Sequence, residues 1–343
     1  MSESEFTVII PAVKNAPILK YTIENCLKLI NLDKIIIVTE DKENKFFEEN
    51  LKVKYLIVEN GTFMSVKRNK AVKLTSSKYL AFFDSDSYLA NTETVKSAIT
   101  ILKENTKIYA IGGPDISPPN QNFWNQIIGL STKSFLISGL RNWRKNILPE
   151  MYVPELSSSN LVMERAKYLE FKGMNENLYI SEDTDLFNRI INRGYKLFYS
   201  PKVLAYHRDR TFKLFLIQRY VRGAQTSIAI KDYVKRLIKR EKIQEGEFRY
   251  EYILTPSIFI YTFFFLVFIM FNKELNIFII SPYILIFLIF LFESVRLVKS
   301  LIKIPCVYLV ITLATFIQSF SSVAIFIKPD LGLTKIYRND NDK

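Results

Sequence analysis

The sequence predicts an α/β domain with a mixed, mainly parallel sheet, followed by a basic segment and a small region of membrane-spanning helices. Three observations lead to this prediction. Short apolar runs alternate with helical patterns over residues 1–115, which is typical of a parallel sheet covered by helices. Ten Lys or Arg stand against four Asp or Glu in residues 211–250. Beyond this basic segment, Phe, Ile, Leu and Val dominate residues 253–327.

The strands of the first part are continuous apolar runs, as expected where both faces of a strand are buried. The predicted strands are residues 6–11, 34–38, 54–58, 79–83 and 108–111. Helical spacing of apolar residues predicts helices at residues 18–30, 66–74 and 94–104. Ligands of such sheets bind beyond the carboxyl ends of the strands, so residues that follow these strands are candidates for a functional site.

The rest of the first domain, which we place at residues 1–210, is less regular. Residues 114–154 show no clear periodicity, contain Pro118 and Pro119, and predict an irregular insertion on the substrate side. The elements expected after it are a strand at 157–163, helices from Arg165 and from about Glu182, a strand at 196–199 and a strand-like run at 202–206.

Three charge-free runs predict the membrane region, which we place at residues 251–328. The runs are residues 253–271, 275–292 and 304–327, and crossing a hydrocarbon core takes about 20 residues. The alternative is a set of buried helices in a soluble protein. A transporter is not expected, because none of the three runs carries an internal charge.

The topology follows from the charges that flank these runs. The joint at residues 293–303 contains Arg296, Lys299 and Lys303, so the positive-inside rule places it in the cytoplasm. The acidic N-terminus does not resemble a signal peptide, which predicts a cytoplasmic first domain. Residues 272–274 then form a hairpin turn, and the tail at residues 329–343 lies on the opposite side. The expected location is the cell membrane, with several spans.

The basic segment 211–250 predicts amphipathic helices on the membrane surface. The net charge of +13 does not indicate nucleic-acid binding, because acidic residues are spread through the N-terminal part and the basic excess gathers before the apolar runs. Helical spacing places Arg219 and Arg222 on one face. These side chains are expected either to face membrane lipids or to contact phosphate groups.

The strongest candidate for a metal site is Asp84-Ser85-Asp86, directly after the predicted buried strand 79–83. Two carboxylates on one turn suit a hard divalent cation. The same spacing recurs at Asp183 and Asp185 and again at Asp340 and Asp342, but only the first pair follows a predicted buried strand.

Two further features complete the candidate site. Glu182 and Asp183 begin a predicted helix with Ser181 as its N-cap, and a carboxylate at a helix N-terminus is held ionised, as a general base requires. His207 is the only histidine, and it follows a strand-like run. Its neutral imidazole would complete a metal site begun by Asp86.

Taken in order, these motifs resemble glycosyltransferase family 2, whose members are inverting enzymes with the GT-A nucleotide-sugar fold. The resemblance covers about residues 5–225 and rests on short matches in sequence order. These are Val8-Ile-Ile-Pro11 with Asn15, Lys67-Arg68-Asn69-Lys70-Ala71, Phe83-Asp84-Ser85-Asp86, Ser159-Asn160 with Arg165, Gly173-Met174-Asn175-Glu176, Glu182-Asp183-Thr184-Asp185-Leu186, Arg193-Gly194-Tyr195, His207 and Gln218-Arg219-Tyr220-Val221-Arg222-Gly223.

The resemblance implies roles for individual residues. It implies a nucleotide-diphosphate sugar as donor and Mn2+ or Mg2+ as the metal, held by Asp84, Asp86 and His207. Asp183 would be the general base, with Glu182 as the alternate. The donor contacts implied or considered are Pro11, Glu40, Asp41, Arg68, Asp84, Arg219 and Arg222. The family usually has Asp-Asp-Gly after the second strand, whereas this chain has Glu40-Asp41-Lys42, which leaves the base identity open.

The expected function is transfer of a single sugar to a hydroxyl of a lipid-linked or surface-glycan acceptor at the cytoplasmic membrane face. Processive members carry Gln-x-x-Arg-Trp, whereas Gln218-Arg219-Tyr220-Val221-Arg222-Gly223 lacks that tryptophan. The alternatives are a polyprenyl-phosphate sugar synthase and a non-catalytic, nucleotide-sugar-binding membrane scaffold. Trp124 and Trp143 would either bind a sugar or anchor the chain at the interface.

Overall fold

The computed structural model describes residues 5–13, 18–48, 52–178, 181–239, 251–271 and 277–328. The chain divides into two compact units. We call Met1–Pro119 with Trp143–Arg208 the sheet unit, and Asn120–Asn142 with Asp209–Tyr337 the helical unit.

The strands of the described residues lie in the sheet unit. They are β1 (Phe6–Ala12), β2 (Leu32–Thr39), β3 (Val53–Ile57), β4 (Tyr79–Phe83), β5 (Ser87–Leu89), β6 (Ile108–Gly112), β7 (Asp115–Ile116), β8 (Met151–Val153), β9 (Asn160–Glu164), β10 (Lys196–Tyr199) and β11 (Ala205–His207). An eight-stranded sheet has the order β3-β2-β1-β4-β9-β6-β10-β8. Strands β1 to β4 pair in parallel, as do β6 and β10, whereas β9 runs antiparallel to both β4 and β6, and β8 antiparallel to β10.

A smaller sheet, in the order β5-β11-β7, follows the carboxyl end of β4. In it β11 pairs antiparallel with β5 and parallel with β7. This small sheet pairs β11 with two strands whose paired residues lie at least ninety positions earlier in the sequence.

Helices cover both faces of the large sheet. The helices of the sheet unit are α1 (Leu19–Cys26), α2 (Met64–Val72), α3 (Thr94–Glu104), α6 (Arg165–Glu170) and α7 (Glu182–Asn192). One apolar cluster joins the buried faces of α1 and α3 to the sheet, and a second joins α2, α6 and α7 to the other face. Every residue of β1 and β4 is buried, which explains their uninterrupted apolar sequences.

The predicted α/β architecture is confirmed, and the positions of most elements agree with it to within a few residues. The predicted boundaries of β4, α3 and β10 are the observed ones. The predicted strand at 202–206 is shorter, because Val203 N donates to the Ser200 carbonyl in a turn and β11 starts only at Ala205.

The prediction of an irregular insertion at residues 114–154 is wrong. The segment contains β7, β8, two helices of the helical unit, α4 (Phe123–Thr132) and α5 (Phe135–Ser138), and a 3-10 helix at Gly139–Lys145. The Asn122 side chain caps α4 by accepting from Asn125 N, and Ser134 caps α5 in the same way. Asn122 and Ser134 therefore mark two helix starts in a segment that its prolines had suggested to be irregular.

Four long helices complete the helical unit: α8 (Phe212–Ile238), α9 (Glu251–Phe271), α10 (Ile277–Leu297) and α11 (Ile304–Ile327). Helices α8 and α11 approach closely at Gly223, where an added Cβ would lie 2.0 Å from the Gln318 carbonyl oxygen. Hydroxyls reinforce this approach, since Ser321 Oγ donates to the Tyr220 carbonyl. Small residues and hydroxyl contacts of this kind are typical of closely packed membrane helices.

One helix of the described residues, Leu301–Ile327, is long and apolar enough to cross a membrane, and 44% of its most apolar window is buried. The predicted spans at 253–271 and 275–292 overlap with α9 and α10. Within α9, the shorter stretch Pro256–Phe268 is also apolar. The predicted hairpin turn at 272–274, the tail at 329–343, the last part of the basic segment at 240–250 and Asn15 lie outside the described residues.

Candidate active site

The Asp84-Ser85-Asp86 turn joins β4 to β5 at the carboxyl end of the large sheet. Ser87 N donates to the Asp84 carbonyl at 3.1 Å, and Thr22 Oγ1 donates to the Ser85 carbonyl at 3.0 Å. These contacts fix the backbone of the turn from two sides. Both carboxylates remain partly exposed.

The small sheet brings His207 to this turn. His207 is the residue paired with Ser87, and Arg208 N donates to the Asp86 carbonyl. His207 Nε2 lies 3.4 Å from Asp86 Oδ1 and 4.0 Å from Asp84 Oδ2. One ligand atom from each of the three residues lies within 4.8 Å of the other two, and this is the cluster of metal-ligand type found among the described residues.

The orientation of the imidazole suits a cation at this cluster. His207 Nδ1 is 3.0 Å from the Arg208 carbonyl oxygen, which can only accept a hydrogen bond. This contact directs Nε2 towards the two carboxylates. Three electron-rich groups facing one another need a shared proton or a cation between them. Two carboxylates and an imidazole suit a divalent metal such as Mn2+.

Arg68 of α2 connects the turn to the start of α7. Its Nη2 contacts Asp84 Oδ1 at 2.9 Å, and its Nη1 contacts Glu182 Oε1 at 2.8 Å. Burial would lower the pKa of Arg68, but the charges of Asp84, Glu182 and Asp183 outweigh it and raise the pKa above its usual range. One buried guanidinium therefore ties a carboxylate of the metal cluster to the helix that carries the predicted base.

The start of α7 differs from the predicted N-cap. Ser181 occupies the predicted N-cap position, but its φ is 66° and its side chain makes no capping hydrogen bond. Three acidic residues, Glu182, Asp183 and Asp185, occupy the first turn and face the positive end of the helix dipole instead.

The two predicted base residues have different surroundings. Glu182 is held by Arg68, and its pKa is raised by burial and by the neighbouring charge of Asp183, with Arg68 acting in the opposite direction. Asp183 Oδ2 lies 3.4 Å from Ser158 Oγ and 3.7 Å from Arg144 Nη2. Asp183 Oδ1 accepts from Thr184 N at 2.8 Å, so Asp183 is held mainly by hydrogen bonds, whereas Glu182 is held by an ion pair.

The predicted nucleotide-side residues lie at the ends of β1 and β2. Pro11 is buried within β1. Glu40 Oε1 forms an ion pair with Lys67 Nζ at 2.8 Å, and the same ammonium donates to the Ala12 carbonyl at 2.7 Å. Asp41 caps a short 3-10 helix by accepting from Glu43 N. Lys67 thus holds the ends of two strands together, a contact that the sequence pattern did not reveal.

Arg219 and Arg222 lie in the helical unit, on α8. Arg219 is 2% exposed, and its Nη1 donates to the Ile137 carbonyl at 2.8 Å. Arg219 is therefore a buried side chain and does not lie on an exposed helix face, as a surface helix would require. Burial, together with the like charges of Arg222 and Arg210, holds its pKa well below the usual range.

The structure adds polar residues that sequence reasoning missed. Asp115, which follows Gly112-Gly113-Pro114, is 5% exposed and contacts Lys145 Nζ and Ser159 Oγ.

Among the tryptophans, Trp143 packs into the second apolar cluster of the sheet unit at 9% exposure. The prediction of Trp143 as a sugar platform or interface anchor is therefore wrong, because the indole is buried in the core. Trp124 is exposed and lies against the rings of Phe123 and Phe212.

Comparison with solved structures defines the class of protein. The mannosyltransferase PcManGT from Pyrobaculum calidifontis, solved in complex with GDP-Man and Mn2+, matches 95% of this chain and 88% of its own at 12% identity and a TM-score of 0.58. At this identity the match shows a shared fold. The fold is of the GT-A type, with a mixed sheet and an Asp–Asp–His cluster beside its centre.

A family model makes the assignment more specific. Residues 7–156, less than half of the chain, match the model described as glycosyl transferase family 2. Residues 7–156 therefore resemble a domain of this family, and the chain is a glycosyltransferase. No curated protein matches the chain.

Two other solved glycosyltransferases match more partially. GalNAc-T7, solved with UDP, GalNAc and Mn2+, matches 61% of this chain at 15% identity and a TM-score of 0.47. TarS of S. aureus, residues 1–349 in complex with UDP-GlcNAc, matches 60% at 18% identity and a TM-score of 0.41. This chain spans 44% of the GalNAc-T7 chain and 59% of the TarS chain.

Proposed function

We propose that this chain transfers a single sugar, with inversion, from a nucleotide-diphosphate donor to a hydroxyl of a lipid-linked or surface-glycan acceptor. The observation that carries the proposal is the bridge made by Arg68. It connects Asp84 of the metal-ligand cluster to Glu182, next to the candidate base Asp183. An enzyme that attacks one side of an anomeric carbon and releases a diphosphate from the other needs both groups held in one fixed frame.

The fit of the site to a divalent cation rests on the cluster of Asp84, Asp86 and His207, in which Nε2 of the imidazole faces two carboxylates. When bound, Mn2+ or Mg2+ would neutralise negative charge on the diphosphate as the donor bond breaks. PcManGT was solved with GDP-Man and Mn2+, which supports this assignment.

The chain's own residues then have separate tasks. Asp183 accepts the proton of the acceptor hydroxyl, and that oxygen attacks the anomeric carbon opposite the departing diphosphate. Arg144 Nη2 lies 3.7 Å from Asp183 Oδ2 and orients that carboxylate. Arg68 holds Asp84 in place and pairs with Glu182 at 2.8 Å, and the longer distance from Arg144 to Asp183 favours Asp183 over Glu182 as the base. Pro11, Glu40 and Asp41 line the ends of β1 and β2, where the nucleoside would lie.

Membrane attachment is part of the proposal. The apolar helix Leu301–Ile327, the apolar runs in α9 and α10 and the basic residues of α8 support a multi-pass chain whose catalytic domain faces the cytoplasm. A lipid-linked acceptor would then be available at the same membrane surface.

The test is a donor screen with the full chain solubilised in detergent. Nucleotide release is measured from UDP- and GDP-sugars with Mn2+, with Mg2+ and with EDTA, and products are identified by mass spectrometry. We expect release that depends on metal and on acceptor. A phosphate-linked monosaccharide as the product would show a polyprenyl-phosphate sugar synthase instead.

Variants assign the roles. Asp86→Ala should abolish metal-dependent turnover, and Asp183→Asn should lower turnover by about 100- to 10,000-fold with the donor still bound. Asp185→Asn is the matched control, because Asp185 lies two residues further along α7 and is paired with Arg189. It should retain turnover. Normal turnover by Asp183→Asn would reject the assignment of the base.

A further inference from the structure

Asp115 carries an unused hydrogen-bonding atom in the interior of the sheet unit. Its Oδ2 accepts from Ser159 Oγ at 2.9 Å and lies 3.5 Å from Lys145 Nζ. Its Oδ1 is buried and has no hydrogen-bond partner among the described residues. A carboxylate with one oxygen satisfied and the other buried and unpaired is costly to keep in a folded protein.

The charges around Asp115 keep it ionised. Burial alone would raise its pKa, but Lys145, His207, Ser159 and Arg144 together bring the pKa below the usual value. The unpaired Oδ1 is therefore an anionic acceptor at neutral pH. The group that would satisfy it is a hydrogen-bond donor supplied from outside the chain.

Two pairs of neighbouring residues join Asp115 to the candidate base. Ser158 contacts Asp183 while Ser159 contacts Asp115. In the same way, Arg144 contacts Asp183 while Lys145 contacts Asp115. Two independent segments thus hold the two carboxylates as neighbours.

Asp115 is also next to the metal-ligand cluster. Asp115 of β7 pairs with Ala205 of β11. His207 follows two positions after Ala205, which is about 7 Å along the strand. The charges of Asp115 and Asp84 act on one another, as do those of Asp115 and His207. Asp115 is therefore linked both to the cluster that would hold the diphosphate and to the residue that would activate the acceptor.

We infer that Asp115 and Lys145 form a subsite for the sugar ring of the donor, in which a ring hydroxyl donates to Asp115 Oδ1 and Lys145 Nζ donates to a neighbouring sugar oxygen. In an in-line displacement the transferred sugar occupies the space between leaving group and base, and Asp115 is linked to the residues that would hold both. The chemistry fits a hexose that has free hydroxyls away from its anomeric carbon. The inference rests on the proposed function and names the substrate group that the site selects.

The experiment compares a nucleotide with and without its sugar. Binding of UDP and GDP in the presence of Mn2+ is measured by calorimetry for the wild type, Asp115→Ala, Asp115→Asn and Lys145→Met. Steady-state kcat/KM is measured with the nucleotide sugar that the donor screen selects. Circular dichroism and thermal unfolding check that each variant is folded.

We expect Asp115→Ala to lower kcat/KM for the nucleotide sugar by about 10- to 100-fold, as for loss of a hydrogen bond to a charged group. The Kd of the free nucleoside diphosphate should change by less than about twofold, the usual effect of a site that the nucleotide does not touch. Asp115→Asn, which keeps the shape and one acceptor oxygen, should lie between wild type and Asp115→Ala. With the wild type, a donor that lacks the contacted hydroxyl should have a kcat/KM that is lower by the same factor. With Asp115→Ala, removing that hydroxyl from the donor should lower kcat/KM no further.

Other outcomes overturn the inference in distinguishable ways. Equal losses for the nucleoside diphosphate and the nucleotide sugar would place Asp115 at the metal or diphosphate. A change confined to the KM of the acceptor would assign Asp115 to the acceptor. Failure of the wild type to bind any nucleoside diphosphate with Mn2+ would reject the proposed function and the subsite with it. If Asp115→Ala does not fold, Ser159→Ala replaces it and should give a smaller loss that is again specific to the sugar.

Discussion

The two units of the chain each bury an arginine, and they compensate its charge differently. In the sheet unit, Arg68 is 3% exposed and is paired with two carboxylates. In the helical unit, Arg219 is 2% exposed, has a backbone carbonyl as its hydrogen-bond acceptor and forms no ion pair with any residue that the structure describes.

The difference shows what each unit depends on. Removing Arg68 would leave two negative groups close together in a partly buried site, which costs far more than the ion pairs themselves contribute. Removing Arg219 would leave one carbonyl without a donor and would also remove repulsion from Arg222 and Arg210. The sheet unit should depend on matched charges, and the helical unit on close contact between helices.

The largest effect is expected for Arg68→Met. It should destabilise the sheet unit by about 3 kcal/mol, near the lower end for a broken buried pair because Asp84 is partly exposed. It should also abolish turnover, since both Asp84 and the start of α7 lose their common partner. Thermal unfolding in detergent and nucleotide release measure the two effects. Arg68→Lys is the control and should recover part of the stability only. If Arg68→Met is as stable as the wild type, the sheet unit does not depend on these matched charges.

The next effect tests packing within the sheet unit. Gly173 has a φ of 67°, and an added Cβ would lie 2.5 Å from Asn69 Oδ1. Gly173→Ala should cost about 2–4 kcal/mol from strain and overpacking together. Gly194 is the matched control, with a φ of 85° but no atom within 4 Å of an added Cβ. Gly194→Ala should cost about 1 kcal/mol from backbone strain alone. Equal losses of Tm in the two variants would show that the Asn69 side chain moves away from the added Cβ without a loss of stability.

A third substitution addresses the helical unit. An added Cβ at Gly223 would meet the Gln318 carbonyl oxygen and Ser321 Oγ, each at 2.0 Å, so α8 and α11 would have to separate. Gly223→Ala should cost about 1–3 kcal/mol and lower the Tm of the helical unit. Ala224→Gly, at the adjacent buried position, adds no atoms and serves as the control for helix propensity. A higher Tm for Gly223→Ala would show that the helices do not rely on this close approach.

The smallest effect is expected for Arg219→Met. Methionine keeps the length of the side chain and adds no charge, so the stability of the helical unit should stay within about 1 kcal/mol of wild type or rise. The same substitution at Arg68 is its counterpart in the other unit. A loss as large as that of Arg68→Met would mean that Arg219 has an anionic partner which the described residues do not include.

The parts of the site that follow local sequence patterns could be predicted. Asp84 and Asp86 follow a buried strand, and Glu182 and Asp183 begin a helix with a regular apolar face, so neighbouring residues carry the signal. Asp115 could not be found in this way, because its partners Lys145 and Ser159 lie 30 and 44 positions away and Asp115 itself belongs to a segment without clear periodicity. The burial of Arg219 was missed for a similar reason: it depends on α5, a helix that was not predicted.

The position of β9 in the sheet has a consequence for synthesis of the protein. β9 lies between β4 and β6, yet it follows both in the sequence and lies beyond residue 156, where the family match ends. Until residue 164 leaves the ribosome, β4 and β6 each expose an unpaired edge, which favours association with other chains. A fragment that stops at residue 156 would keep both edges and also lack His207 on β11. A soluble version of the enzyme therefore needs to extend at least to Arg208, and a chaperone that covers nascent strands should improve its yield.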